Sequence, residues 1–179
     1  KGSVMDIEHY YATSCATSVF RDIYKQYVQR MENSRLIDFE DMLVYTWELF
    51  TQRKDILAAW QHKFQYILID EFQDINLLQY KLIRMLALPQ NNIFIVGDDD
   101  QSIYGFRGAR PEIMLNFEKD FSDVKKVFLS VNYRSQAAIV RGAGCVIKNN
   151  KQRFDKQIQA VRPEEEPVDI RVFKGPADE

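Results

Sequence analysis

Two adjacent carboxylates, Asp70 and Glu71, follow directly on the apolar run Tyr66-Ile67-Leu68-Ile69. An acidic pair at the end of a buried strand suits nucleotide hydrolysis, because one carboxylate can hold Mg²⁺ through water while its neighbour polarises the attacking water. Asp70 fits the first role and Glu71 the second. The plainer alternative is that the pair only starts a loop, with Asp74 capping the helix after it. A second acidic cluster, Asp98-Asp99-Asp100, follows the run Ile93-Phe94-Ile95-Val96 and Gly97. A nuclease-like second metal site there is argued against by geometry: side chains alternate along an extended segment, so three consecutive carboxylates cannot all face one ion. Tyr104, Phe106 and Arg107 form an aromatic, aromatic, basic set just beyond, and single strands of nucleic acid are bound by such stacking plus charge. Both aromatics packing into the core is the alternative. His9 and His62 stand without partner ligands and are read as ordinary surface or helix-face histidines.

The elements that must position these residues are legible from hydrophobic spacing. Phe20, Ile23, Tyr24, Tyr27, Val28 and Met31 recur at three- and four-residue steps and predict an amphipathic helix over 18–30. Asp38, with Asp41 three residues on, predicts the start of a second helix whose buried stripe is Phe39, Met42, Leu43, Trp47 and Phe50. The run 66–69 reads as a fully buried strand. A helix is predicted over 76–88, with Leu78, Leu82, Met85 and Leu86 on one side and Pro89 and Asn91-Asn92 ending it. The run 93–96 is a second strand. Strand, helix and strand of these lengths make a βαβ unit with parallel strands and a right-handed crossover. In doubly wound sheets ligands sit outside the carboxyl ends of the strands, where both acidic clusters fall. Further strands are predicted at 126–129 and 168–173, the second after a solvated loop over 162–167. Polar residues run on to Ser135, and an apolar helix with a small side for close packing (Ala137, Ala138, Val140, Gly142, Ala143, Gly144) is predicted over 136–148.

Composition narrows the class. The chain has 179 residues, 46% of them hydrophobic, which is enough for the core of one ordinary domain or one domain and part of another. With 24 Lys and Arg against 26 Asp and Glu, the net charge of −2 leaves no global basic excess, so any nucleic-acid contact must be local. Cys15 and Cys145 form no CxxC or Cys/His cluster, which argues against a disulfide scaffold or structural zinc and for a reduced, cytoplasmic setting. No apolar run approaches the roughly 20 residues of a membrane span, and no secretory signal opens the chain. Lys1 is not an initiator, so sequence is expected upstream.

Three long motifs then carry a resemblance. Asp70-Glu71-Phe72-Gln73-Asp74 resembles the DExxD Walker B motif of superfamily 1 DNA helicases of the UvrD/PcrA/Rep type. Gly97 to Ala109 resembles their third motif, GDxDQSIYxWRGA in its usual form, with Phe106 in place of the usual Trp. Leu129-Ser130-Val131-Asn132-Tyr133-Arg134-Ser135 resembles the fourth motif, and Asp38-Phe39-Glu40-Asp41-Met42-Leu43 a segment preceding Walker B. The resemblance covers residues 36–140.

It implies an α/β fold: a partial RecA-like (P-loop NTPase) parallel sheet with flanking helices, preceded by a helical segment. Residues 1–60 would end an inserted helical subdomain and return to the first RecA-like domain, 61–125 form the latter part of that domain, and 126–179 start the second. Asp70 is implied to coordinate Mg²⁺, Glu71 to be the catalytic base for ATP hydrolysis, and Gln101 to sense the γ-phosphate. An amide suits that task, since it donates to a phosphate oxygen and accepts from the lytic water. Arg134 is implied to reach the γ-phosphate from the second domain, where a planar guanidinium suits developing phosphoryl charge. Tyr133 is implied to stack on the adenine, and Tyr104, Phe106 and Arg107 to contact single-stranded DNA. A phenyl at Phe106 offers less stacking area than indole and no N–H. A surface ion pair for Arg134 and a core position for Tyr133 are the alternatives.

The glycine-rich loop ending in Gly-Lys-Thr/Ser, which cradles the β- and γ-phosphates, does not occur in the 179 residues, nor do the later GLE-containing and closing arginine motifs. The chain is therefore expected to be an internal fragment that binds ATP weakly and does not hydrolyse it. Its parent is expected to be an ATP- and Mg²⁺-dependent motor moving 3′ to 5′ on single-stranded DNA and at single/double-strand junctions, working with repair or replication-restart proteins. A helicase-nuclease subunit, or a non-catalytic DNA-binding or interaction module, is the alternative. Apolar surface left uncovered in the fragment predicts a non-native dimer.

Overall fold

Among the described residues three α-helices follow a short 3₁₀ turn at Ile7–His9 and precede the first strand, and their boundaries follow from local chemistry. The computed structural model describes residues 7–105, 108–163, 168, 169, 171, 172 and 175, in two units, Lys1–Phe121 and Ser122–Glu179. Helix α1 (Thr17–Asn33) has no buried residue; Ile23 is 61% exposed, so the spacing predicts the helix but not its burial. Helix α2 (Phe39–Gln52) starts in a reciprocal cap: Asp41 N donates to Asp38 Oδ1 at 2.8 Å and Asp38 N to Asp41 Oδ2 at 3.1 Å. Helix α3 (Lys54–Lys63) follows after Arg53.

The first strand, β1 (Ile67–Ile69), pairs in parallel with β2 (Ile93–Ile95) in the register Ile67↔Ile93, Leu68↔Phe94, Ile69↔Ile95. Between them runs α4 (Leu77–Ala87), so the strand–helix–strand unit expected from the spacing is present and parallel. Asn76, rather than Asp74, caps α4: its Oδ1 accepts from Gln79 N at 2.9 Å, and Gln79 Oε1 accepts from Asn76 N at 2.8 Å. The strands are not fully buried. Leu68 and Phe94 are 72% and 61% exposed and face each other across the register, so one face of this two-stranded sheet is open.

Helices α2, α3 and α4 share a core of Phe50, Leu57 and Leu82, with Leu43, Trp47, Ile56, Met85 and Leu86 packed around it. The stripe expected on α2 is correct from Leu43 onward. Phe39 and Met42 lie exposed, because the neighbouring helices cover only the later turns of α2. A second, aromatic cluster lies nearer the acidic segments. Fully buried Phe72 meets Tyr80 and Phe117 edge-on, with centroids 6.2 and 5.5 Å away, and Phe117 stacks on Phe121. The short helices α5 (Pro111–Leu115) and α6 (Phe117–Asp120) bring Asp120 to α4, where it accepts from the Tyr80 hydroxyl at 2.6 Å and from Arg84 at 3.2 Å. Burial first, and then the Asp120 carboxylate, push the Tyr80 phenol well above its ordinary value.

In the second unit β3 (Val131–Gln136) pairs in parallel with β4 (Gln159–Arg162), and α7 (Ala137–Ile147) connects into that pair. Residues 126–129, expected as a strand, form none, and Val127 and Leu129 are 79% and 84% exposed. The strand begins two residues further on, where β4 supplies a ladder that no local pattern announces. β4 itself falls partly in the stretch expected as a loop. Of the strand expected over 168–173, residues 168, 169, 171 and 172 form no strand, and 170 and 173 lie outside the described residues, as do 164–167. The small side of α7 is not closely packed: a Cβ added at Gly142 or Gly144 would meet nothing within 4 Å, and Ala138 is the one residue of the helix that is buried.

The molecule is thus mixed α/β with parallel strand pairs flanked by helices. Among the described residues no helix is long and apolar enough to cross a membrane.

Candidate active site

The ladder of β1 and β2 continues past the strands and sets the site. Val96 N donates to Ile69 O at 2.8 Å, and Phe72 N donates to Val96 O at 2.9 Å, so the chain ends of both strands are stitched together as they leave the sheet. Between these two bonds stand Asp70 and Glu71. Glu71 has left-handed backbone angles, φ 50° and ψ 42°, a conformation that costs a non-glycine residue of order 1–3 kcal/mol. It turns the chain sharply enough for Phe72 to enter the core while the Asp70 and Glu71 carboxylates stay exposed. Asp70 Oδ1 accepts from Glu71 N at 2.9 Å, which fixes that carboxylate on the turn.

Behind the pair lies Gln73, 2% exposed. Its Nε2 donates to Glu71 Oε2 at 2.8 Å, its Oε1 accepts from Asp98 N at 3.0 Å, and its backbone oxygen accepts from Ser102 Oγ at 3.1 Å. Gly97 makes room for it: a Cβ at position 97 would lie 2.6 Å from Gln73 Oε1 and 3.1 and 3.2 Å from two backbone nitrogens. Gln73 stands inside the 70–74 motif, where its residue type implies no role. Its signal was an uncharged polar residue two places beyond the acidic pair, which says nothing of burial until the second strand is in place.

On the β2 side a 3₁₀ turn, Asp99–Gln101, is capped by Asp98, whose Oδ1 accepts from Asp100 N at 3.2 Å. Gln101 Nε2 donates to Asp98 Oδ2 at 2.7 Å. A continuous run of hydrogen bonds therefore joins Glu71 to Gln101 by way of Gln73 and Asp98. The same turn corrects the reading of the acidic triplet. The segment is not extended, and oxygens of Asp98, Asp99 and Asp100 all lie within 4.8 Å of one another, because a 3₁₀ turn gathers consecutive side chains that a strand would alternate. Two of the Asp98 acceptor positions are already taken by Asp100 N and Gln101, so the cluster is held together from within.

Of the residues considered for strand contact, Tyr104 follows this turn and is 38% exposed, so it is not a core aromatic. Phe106 and Arg107 lie outside the described residues.

Tyr133 and Arg134 belong to the second unit. Tyr133 is 73% exposed, and Arg134 is exposed as well. Asn132 Oδ1 accepts from the backbone N–H of both Arg134 and Ser135, at 3.0 and 2.8 Å, where the β3–β4 register is irregular. Arg162 donates to the Arg134 carbonyl at 3.0 Å, leaving the Arg134 side chain out of that contact.

An exposed carboxylate at the end of a strand offers the hard oxygen donors that a hydrated divalent cation prefers, so Asp70 fits Mg²⁺ by donor type and access. Comparison with known proteins agrees with the motifs. The family model described as UvrD/REP helicase N-terminal domain matches residues 3–122, extending the likeness upstream of the motif segments. The chain is 45% identical over 157 residues to a putative ATP-dependent DNA helicase of Bacillus subtilis (strain 168), covering 88% of this chain and 20% of that protein. It is 46% identical over 148 residues to a probable DNA helicase II homolog of Rickettsia conorii, covering 83% and 23%. Against the ATP-dependent DNA helicase PcrA of Staphylococcus aureus it is 41% identical over 145 residues, covering 81% and 20%. It spans about a fifth of the length of these relatives. With its acidic pair, its glutamine turn and two thirds of its length matched, the chain belongs to the UvrD/REP helicase N-terminal domain family.

Proposed function

We propose that this chain is the part of an ATP-driven DNA motor that carries the hydrolytic carboxylates and the residues reporting on the γ-phosphate. The run of hydrogen bonds from Glu71 through Gln73 and Asp98 to Gln101 carries this reading. These bonds place the carboxylate and the glutamine turn side by side at the carboxyl end of the strand pair, with Gln101 held by one hydrogen bond that it can exchange for a phosphate oxygen. In that reading the whole protein couples ATP hydrolysis to 3′-to-5′ movement on single-stranded DNA and to duplex unwinding, alongside repair or replication-restart proteins in the cytoplasm.

Asp70 would hold the hydrated Mg²⁺, which supplies charge neutralisation at the β- and γ-phosphates when bound. Glu71 takes a proton from the attacking water, and Gln101, turning from Asp98, donates to the γ-phosphate. Arg134, from the second RecA-like domain, supplies a guanidinium to the γ-phosphate, and Tyr133 stacks on adenine. Residues 1–60, 61–125 and 126–179 are then the end of an inserted helical subdomain with the return to the first RecA-like domain, the latter part of that domain, and the start of the second. Tyr104, Phe106 and Arg107 contact the single strand. Because no Gly-Lys-Thr/Ser run lies in the 179 residues, they bind ATP weakly by themselves and do not turn it over.

The test is the ATPase rate of the full-length parent with and without single-stranded DNA. Strong stimulation by DNA is expected, with Glu71→Gln lowering kcat by about a hundredfold to ten-thousandfold and Arg134→Ala by about a thousandfold or more. An ATPase indifferent to DNA, or a Glu71→Gln protein as active as wild type, would reject the reading.

A further inference from the structure

The centre of the site is a residue that neither chemistry nor strand contact has claimed. Gln73 is 2% exposed, yet both ends of its amide are in use: Nε2 donates to Glu71 Oε2 at 2.8 Å and Oε1 accepts from Asp98 N at 3.0 Å. The Glu71 side chain itself is exposed and stands on a left-handed turn. A glutamate so placed has three rotatable bonds and loses side-chain entropy of order 1–2 kcal/mol when held in one rotamer. Something fixed must hold it, and Gln73 is fixed from three sides: by burial, by the Asp98 amide, and by Ser102 Oγ on its own carbonyl. Gly97 leaves the space in which this amide sits.

An amide is the side chain suited to the task. One end must donate to a carboxylate and the other must accept from a backbone N–H, and glutamine does both without titrating. A neutral donor also orients the carboxylate with less loss of basicity than a lysine or arginine would cause, because an adjacent full positive charge stabilises the ionised form more strongly.

We propose that Gln73 is a positioning residue for hydrolysis: its amide holds the Glu71 carboxylate in one orientation and ties it to the Asp98 end of the Gln101 turn. This rests on Glu71 being the base. A reacting group misplaced by about 1 Å loses on the order of a hundredfold in rate, so the hydrogen bond acts on turnover rather than on nucleotide affinity.

Gln73→Glu in the full-length parent separates the two ends of the amide. Glutamate has nearly the same shape and still accepts from Asp98 N–H, but once ionised it presents an oxygen and a like charge, instead of an N–H, to Glu71; burial and that neighbour hold back its ionisation, so turnover is compared at rising pH up to about 9. A carboxylate buried beside Glu71 also strains the loop, so the fall in turnover counts only where the exchange of the Asp98 amide, below, shows that the loop is still braced. The expected result is a fall in kcat of roughly tenfold to a hundredfold, with KM for ATP within roughly threefold of wild type, as for an interaction made in the transition state. Hydrogen–deuterium exchange gives a readout independent of turnover. Protection of the Asp98 amide should be kept in Gln73→Glu and lost in Gln73→Met, which has no acceptor.

A Gln73→Glu protein with wild-type kcat, or one altered in KM alone, overturns the proposal. So does an Asp98 amide that exchanges equally in wild type and Gln73→Met. Glu71→Gln, assayed beside them, keeps the two readings apart: if it stays active the base assignment fails, whereas an inactive Glu71→Gln next to a fully active Gln73→Glu removes only the role of Gln73.

Discussion

Gly97 shows how one missing methyl group can decide a site. A Cβ there would lie 2.6 Å from Gln73 Oε1, and the next contacts, at 3.1 and 3.2 Å, are backbone nitrogens of Phe72 and Gln73 that cannot swing away. Relief would require the Gln73 amide to leave its place between Glu71 and Asp98, or the two strand ends to part. Gly97→Ala is expected to lower stability by about 1–3 kcal/mol, the range for overpacking a close-packed position, read from denaturant unfolding of the full-length protein. An unchanged midpoint would show that the strand ends are looser than the distances state. Glu71, by contrast, bears its strain in the backbone, and its left-handed turn is what sends Phe72 inward and the carboxylate outward.

Among the elements, α4 does most to hold the site, because it starts four residues after Gln73 and carries Leu82 into one core cluster and Tyr80 into the other. Its start depends on the Asn76–Gln79 box. Asn76→Ala removes the acceptor for the Gln79 N–H and should cost about 1 kcal/mol, measured as a drop in unfolding free energy, with Asn76→Asp largely restoring it. Should Asn76→Ala unfold like wild type, the helix start is held by tertiary packing instead. The two-stranded sheet is held differently. Leu68 and Phe94 present apolar side chains on its open face, and the ladder between the strands carries their register.

Large apolar exposure is the dominant property of the whole molecule. Phe39, Leu68, Val127, Leu129 and Tyr133 are each more than 70% exposed, and they lie in both units. Exposed apolar patches beyond a few hundred Å² are uncommon on soluble monomers, so the isolated 179-residue chain is expected to self-associate. Light scattering across a concentration series should give a mass above the 21.1 kDa of one chain. A monomer at high concentration would instead mean that these side chains find cover within the chain in solution.

The sequence alone determined the helix starts at Asp38 and near Leu77, the parallel strand–helix–strand unit, and the placement of Asp70-Glu71 and Gln101 at its carboxyl end. These depend on local periodicity, capping chemistry and the right-handed geometry of a short crossover, all of which act within a few turns of chain. Only the tertiary structure decided the rest. The burial of β1 was overestimated because an apolar run has the same composition whether one or both of its faces are covered. The strand at Val131–Gln136 depends on a partner at Gln159–Arg162, more than 20 residues away, and no pattern within either segment announces the other. The acidic triplet converges because Asp98 caps a tight turn, which spacing cannot distinguish from an extended loop. Gln73 was legible as a letter in a motif, but its role as the buried link appears only when Gly97 and Asp98 are brought against it by the second strand.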